Sequence, residues 1–166
     1  MVILEPKYKS MKKKAKKGKV VFLQGAFEII NYGHVRAFRR LKAIAGPNGT
    51  LIIALNTNKL LREYKGRKAV LPWKHKKIVL EAVRWVDKVI EAPHFSPLAL
   101  LKKHDVDVYA LTREWEGDHQ AEIAYMKSKG GRVFFSRRYN GVVPTRQIKR
   151  RLLAEAKAEA KAEAKR

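Results

Sequence analysis

The stretch Val20-Val21-Phe22-Leu23-Gln24-Gly25-Ala26-Phe27-Glu28-Ile29-Ile30-Asn31-Tyr32-Gly33-His34 constrains this chain more than any other. It opens on four apolar residues, two of them distinct β-branched positions, which read as a short strand buried on both faces. Gly25 then breaks the run, as backbone does where it turns sharply or lets a ligand come close. After Gly33 the period changes. Val35, Phe38, Leu41 and Ile44, with Ala37 and Ala45, mark one face of a helix, and Arg36, Arg39, Arg40 and Lys42 take the other. His34 therefore falls in the first turn of a helix that follows a strand. Free backbone N–H groups and the positive end of the helix dipole gather there, and both suit a phosphate.

The same alternation continues down the chain. Gly46-Pro47-Asn48-Gly49 is a turn, and Thr50 to Asn56 reads as a second buried strand, so the two strands pair in parallel through a right-handed crossover. Asn56-Thr57-Asn58 caps a short helix through Leu61. From Lys59 to Lys77 a loop is expected, with eight basic residues against Glu63 alone. Ile78, Val79, Ala82, Trp85 and Val86 then line a helix face. Strands are expected near residues 20–24, 51–56, 88–91, 107–111 and 132–136. His119 opens a helix bearing Ala121, Ile123, Ala124 and Met126, and reads as a surface residue at its start. From Arg146 the chain reads as helix to its end.

Charge sets the expected company. Thirty-eight Lys and Arg against fifteen Asp and Glu leave +23 over 166 residues, which implies a polyanionic neighbour. Residues 1–19 form a basic arm, with eight lysines facing only Glu5; residues 20–153 hold one domain, and 154–166 are a low-complexity Ala/Glu/Lys tail. Without cysteine there is neither a disulfide frame nor a thiolate metal site, and no metal-ligating residues are assigned. No apolar run is of membrane-spanning length and no signal-peptide core opens the chain, so no membrane partner and a cytoplasmic setting are expected.

The pattern Gly25-x-Phe27-Glu28-x-x-Asn31-x-Gly33-His34 resembles the Gly-Thr-Phe-Asp-x-x-His-x-Gly-His signature of cytidylyltransferase-like nucleotidyltransferases. Further stretches resemble the same family in the same order. Lys65-Gly66-Arg67-Lys68 is similar to its lysine-bearing phosphate loop, with Lys76 where the family has an Arg. Arg84 to Ile90 resembles its Arg-Tyr-Val-Asp-Glu-Val-Ile, a packing segment. Thr112-Arg113-Glu114-Trp115-Glu116-Gly117 resembles the Gly-Asp-Asp-Trp-Glu-Gly of glycerol-phosphate cytidylyltransferases at Trp115, Glu116 and Gly117, with Glu114 a near match and Thr112 and Arg113 different. Arg138, Gly141 and Thr145 match the family's last phosphate-binding motif. The nearest branches are those enzymes and the nucleotidyltransferase domain of ADP-heptose synthases.

The resemblance implies a single Rossmann-like α/β domain, a five-stranded parallel sheet in the order 3-2-1-4-5 with helices on both faces, and a cleft at the strands' carboxyl ends. It implies transfer of a nucleotidyl group from a nucleoside triphosphate, CTP among the candidates, to a phosphorylated small molecule, with pyrophosphate released and Mg²⁺ as cofactor. Homodimers are common in the family. Carried over residue by residue, the catalytic set is His34, Asn31 and Lys68, and the nucleotide-binding set is Gly25, Phe27, Gly33, Lys65, Arg67, Lys76, Trp115, Arg138 and Thr145. The charge and the altered motif positions keep a second reading beside it. In that reading the same fold serves as a basic structural or nucleic-acid-binding component, contacting RNA or DNA in a ribonucleoprotein or virion.

Overall fold

A computed structural model describes residues 17–136 and 145–163. Five strands alternate with helices: β1 (Val20–Gly25), α1 (Tyr32–Ala45), β2 (Thr50–Asn56), α2 (Asn58–Lys65), α3 (Trp73–Glu81), β3 (Lys88–Ala92), α4 (Leu98–Lys103), β4 (Val108–Thr112), α5 (Gln120–Ser128), β5 (Arg132–Ser136) and α6 (Thr145–Glu163). All pairings are parallel and the order is β3-β2-β1-β4-β5, as expected from the family resemblance. The expected strands stand within a residue of their observed bounds.

The apolar runs explain why the sheet is sandwiched. Along β1 and β2 neighbouring residues serve opposite faces. Val21, Leu51, Ile53 and Leu55 join Phe38 and Leu41 of α1 and Leu80 of α3 in one core. Phe22, Ile52 and Ala54 join Leu101 of α4 and Ile123 and Met126 of α5 in the other. Asp87, in the segment expected to pack rather than react, ties the α1 end to the sheet. It accepts from Lys42 Nζ at 2.6 and 2.7 Å and from the Leu51 N–H at 2.7 Å.

The basic stretch from Lys59 to Lys77 is not one loop. The helix expected to stop at Leu61 runs on to Lys65, and α3 starts at Trp73, which leaves residues 66–72 as the connection. Lys and Arg are good helix formers, and the apolar pair Leu60 and Leu61 buries the inner face, so charge density alone misleads there. Gly66, in the left-handed region at φ 63°, ends α2.

Candidate active site

The carboxyl ends of β1, β2 and β4 open onto a cleft of about 850 Å³. Its first wall is the turn into α1. Asn31 caps that helix: its side-chain oxygen accepts from the Gly33 N–H at 3.0 Å and, more distantly, from the His34 N–H at 3.4 Å. In return the Asn31 N–H donates to His34 Nδ1 at 3.2 Å, which closes a reciprocal capping box. This bond fixes the tautomer. Nδ1 must carry the lone pair, so Nε2 carries the proton and is a donor. Burial also depresses the His34 pKa, which keeps the ring neutral.

Phe27 holds that imidazole in place. Its ring meets His34 edge-on at 5.5 Å and Phe38 at the same distance. To get there Phe27 adopts φ 42°, a conformation strained for a bulky residue and found mostly where function over-determines the backbone. The absence of a side chain at Gly25 makes room, since a Cβ there would lie 2.8 Å from the Phe27 ring. Gly25→Ala is expected to lower stability by about 1–3 kcal/mol through overpacking and to reduce turnover with it. Urea unfolding and a pyrophosphate assay check both; a variant as stable as the parent would remove this account of Gly25.

Opposite stands Glu28, which the sequence places in the motif but to which it assigns no role. The side chain is buried and its two oxygens are fully used. They accept from Arg67 at 3.3 and 2.6 Å, from the Val70 N–H at 2.9 Å and from Lys149 Nζ at 2.8 Å. Burial by itself would raise the pKa of this carboxyl. The hydrogen bonds from Arg67, Lys149 and Val70 outweigh it and bring the pKa from 4.5 down to about 2. The carboxylate thus ties the 66–72 connection and α6 to the start of the cleft. Thr145 adds a second tie, its hydroxyl accepting from Asn31 Nδ2 at 3.1 Å.

The far end of the cleft is aromatic. Phe95 stacks on His119 at 5.1 Å and 22°, and Tyr64 and Trp115 lie against Phe95, each at 5.8 Å. Behind them runs a buried polar row. His119 Nδ1 lies 3.3 Å from the Tyr109 hydroxyl and 3.5 Å from Glu122, which also accepts from Ser96 Oγ. Burial, then the charge of Glu122, pushes the Tyr109 phenol up and keeps it neutral. His119 is therefore not the surface residue expected. The turn of 3-10 helix at Gly117–His119 tucks it beneath Phe95, leaving 6% of it exposed.

Of the residues singled out in the sequence, Gly25, Phe27, Asn31, Gly33, His34, Lys65, Arg67, Trp115 and Thr145 line this one cleft. Lys68 does not; it is exposed on the connection, its carbonyl accepting from Arg67. Lys76 does not either. It shares the buried face of α3 with Leu80, and its Nζ has no hydrogen-bond partner among the described residues. Burial lowers its pKa; the Glu28 charge opposes this, and Lys65 and Lys149 reinforce it. Arg67 lines the cleft but gives its guanidinium to Glu28. Arg138, with the rest of residues 137–144, lies outside the described residues, as do residues 1–16 of the basic arm. Lys149 and Arg150 also line the cleft. The signal for Lys149 was its spacing: four residues after Thr145 it shares the Thr145 face of α6.

The donor set does not suit a resident metal. Among the described residues no three His, Cys, Asp or Glu side chains gather where an ion could be held. Glu28, the buried carboxylate of the wall, has no lone pair left to offer. Nor, among the described residues, is any helix long and apolar enough to cross a membrane.

Comparison with known proteins adds an independent finding. The sequence profile of the family described as cytidylyltransferase-like matches residues 22–152. Glycerol-3-phosphate cytidylyltransferase of Staphylococcus aureus is 30% identical over 68% of this chain and 87% of its own length. A probable ethanolamine-phosphate cytidylyltransferase of Encephalitozoon cuniculi is 33% identical over 57% of this chain and 29% of its own. Among solved structures, a lipopolysaccharide core biosynthesis protein from Thermoplasma volcanium superposes with a TM-score of 0.61 at 16% identity, covering 74% of this chain and 99% of that one. At that identity the likeness bears on the fold alone.

Proposed function

This chain belongs to the cytidylyltransferase-like family, and on that premise we propose that it moves a nucleotidyl group from a nucleoside triphosphate, CTP first, to a phosphorylated small molecule. An acceptor phosphate oxygen attacks the α-phosphorus. As that P–O bond forms, the bond to the bridging oxygen of the β-phosphate breaks, and pyrophosphate leaves with the electron pair. The protein is asked mainly to orient the two phosphates and to offset charge on the oxygens. The observation that carries the reading is the capping box at α1. It holds a neutral His34, protonated at Nε2, in the wall of the open cleft, at the positive end of the α1 dipole.

Each wall has a role in this scheme. His34 Nε2–H donates to the phosphate oxygens as charge builds between them. Asn31 fixes the His34 tautomer and acts as a positioning residue. Lys65 and Arg150 supply cations from α2 and α6, and Arg138 would add another. Lys149 and Arg67 are held by Glu28 and set the cleft's shape. The aromatic end around Phe95 and Trp115 takes the body of a ligand. Mg²⁺ would accompany the triphosphate as its counter-ion and offset phosphate charge, with no residue of the described cleft assigned to hold it. The open cleft favours an enzyme over a fold kept only as scaffold.

The test is a thermal-shift panel of nucleoside triphosphates with Mg²⁺, followed by pyrophosphate release with glycerol 3-phosphate and ethanolamine phosphate as acceptors. A triphosphate at tenfold its Kd should add roughly 1.4 kcal/mol. No shift with any triphosphate and no release with any acceptor would end this reading.

A further inference from the structure

The proposed chemistry uses few of the chain's 38 basic residues, and one group of the others is arranged on a single surface. Helix α1 carries Arg36, Arg39, Arg40 and Lys42 and no acidic residue. Lys42 is taken by Asp87. The three arginines are exposed, while Phe38, Leu41 and Ala45 are buried in the core. Arg36 lies over the ring of Tyr32, 5.5 Å from its centre, and Tyr32 is 64% exposed. Arg40 lies over Phe134 of β5 at 4.9 Å, and Arg132 approaches the same ring at 6.0 Å. The helix and the edge strand thus share one arginine-rich surface with two aromatic rings in it. Among the described residues no carboxylate pairs with Arg39, Arg40 or Arg132.

The basic arm joins the fold at the same place. The Lys19 N–H donates to the Ala45 carbonyl at 3.0 Å, so the arm is rooted at the last residue of α1. Register places Val21 beside Val108 and Val108 beside Arg132, which puts the start of β5 at that same end of the sheet. The cleft opens at the other end.

We propose that the outer face of α1 and the edge strand β5, through Arg39, Arg40 and Arg132, form a docking surface for single-stranded nucleic acid gripped by its phosphates. Arginine's planar fork suits phosphate oxygens, and exposed Tyr32 offers a ring on which a base can stack. A lipid surface fits less well, because the apolar side of α1 is turned into the core and leaves nothing to insert.

The experiment measures anisotropy of a labelled oligouridylate of about 20 nucleotides with the full chain, across a salt series from about 50 to 300 mM. Affinity should fall steeply with salt. The triple variant Arg39→Gln, Arg40→Gln, Arg132→Gln should raise Kd by about tenfold or more and flatten the log–log slope by about two units, at roughly 0.7 per phosphate contact. Pyrophosphate release by that variant should be unchanged, since none of the three lines the cleft. A control removes equal charge from α4 and α5, which pack on the opposite face: Lys102→Gln, Lys103→Gln, Lys127→Gln. Equal loss in the control would overturn the assignment to α1 and β5. So would no binding at low salt, or binding to phosphatidylserine vesicles in place of the oligonucleotide. The same oligonucleotide as DNA should bind comparably, because phosphates and not sugars are gripped.

Discussion

His34→Ala is expected to lower pyrophosphate release about a hundred- to a thousandfold, the usual consequence of losing one preorganised donor to a developing charge. The loss should fall on kcat more than on KM, because the Nε2–H interaction strengthens as charge gathers on the phosphate oxygens. Stability should change far less. Removing the ring frees the Asn31 N–H from its acceptor, worth about 0.5–1.5 kcal/mol, and Asn31 continues to cap Gly33. The pH profile offers a second check. The donor is the neutral ring, and burial depresses its pKa, so the acid limb set by this residue should fall below the ordinary imidazole value of 6.5. Protonation at Nδ1 leaves the Nε2–H in place but breaks the capping box that aims it, so the limb should show in binding as well as in rate. Turnover unchanged in His34→Ala would refute the role assigned to it.

Glu28→Gln is expected to destabilise the fold by about 2 kcal/mol at neutral pH. The charged carboxylate accepts four hydrogen bonds from three segments, whereas a glutamine has one oxygen and turns an amide donor toward Arg67 or Lys149. A fall in pKa from 4.5 to about 2 corresponds to roughly 3 kcal/mol. Water screens Arg67, whose side chain is 44% exposed, so about 2 kcal/mol is the expectation at neutral pH. Because the folded state holds the proton less tightly than the unfolded chain, this stability is complete above pH 4.5 and disappears as the pH falls toward 2. Urea unfolding of parent and variant at pH 7 and near pH 2 should show the gap between them close in acid. A gap of equal size at both would mean that the charge is not what holds the connection and α6. Turnover should fall too, since Glu28 keeps the 66–72 connection and Lys149 against the cleft.

The strand–turn–helix from Val20 to Ala45 was legible because every signal for it is local. Four apolar residues, a glycine and a change of period from continuous to helical lie within one short stretch, and they place His34 at a helix start with no knowledge of the rest. The sheet order came with the family resemblance, and the buried runs at β2 and β4 agree with it. Side-chain partners were a different matter. Helical spacing says that Lys76 and Leu80 share a face but not whether that face meets the core or the cleft; packing of α3 against the sheet decided it, and buried Lys76. His119 looked like a surface residue because its cover, Phe95, comes from a loop after another strand. Glu28 finds Lys149 across 121 residues and Asn31 finds Thr145 across 114. No local pattern encodes contacts of that range. The sequence alone determined that a helix starts beside His34 directly after the first strand, because helix geometry is set by neighbours along the chain. Which cations reach that place, and which are neutralised first, was decided only when α6 closed against α1, since charge pairing depends on distance in space and not in sequence.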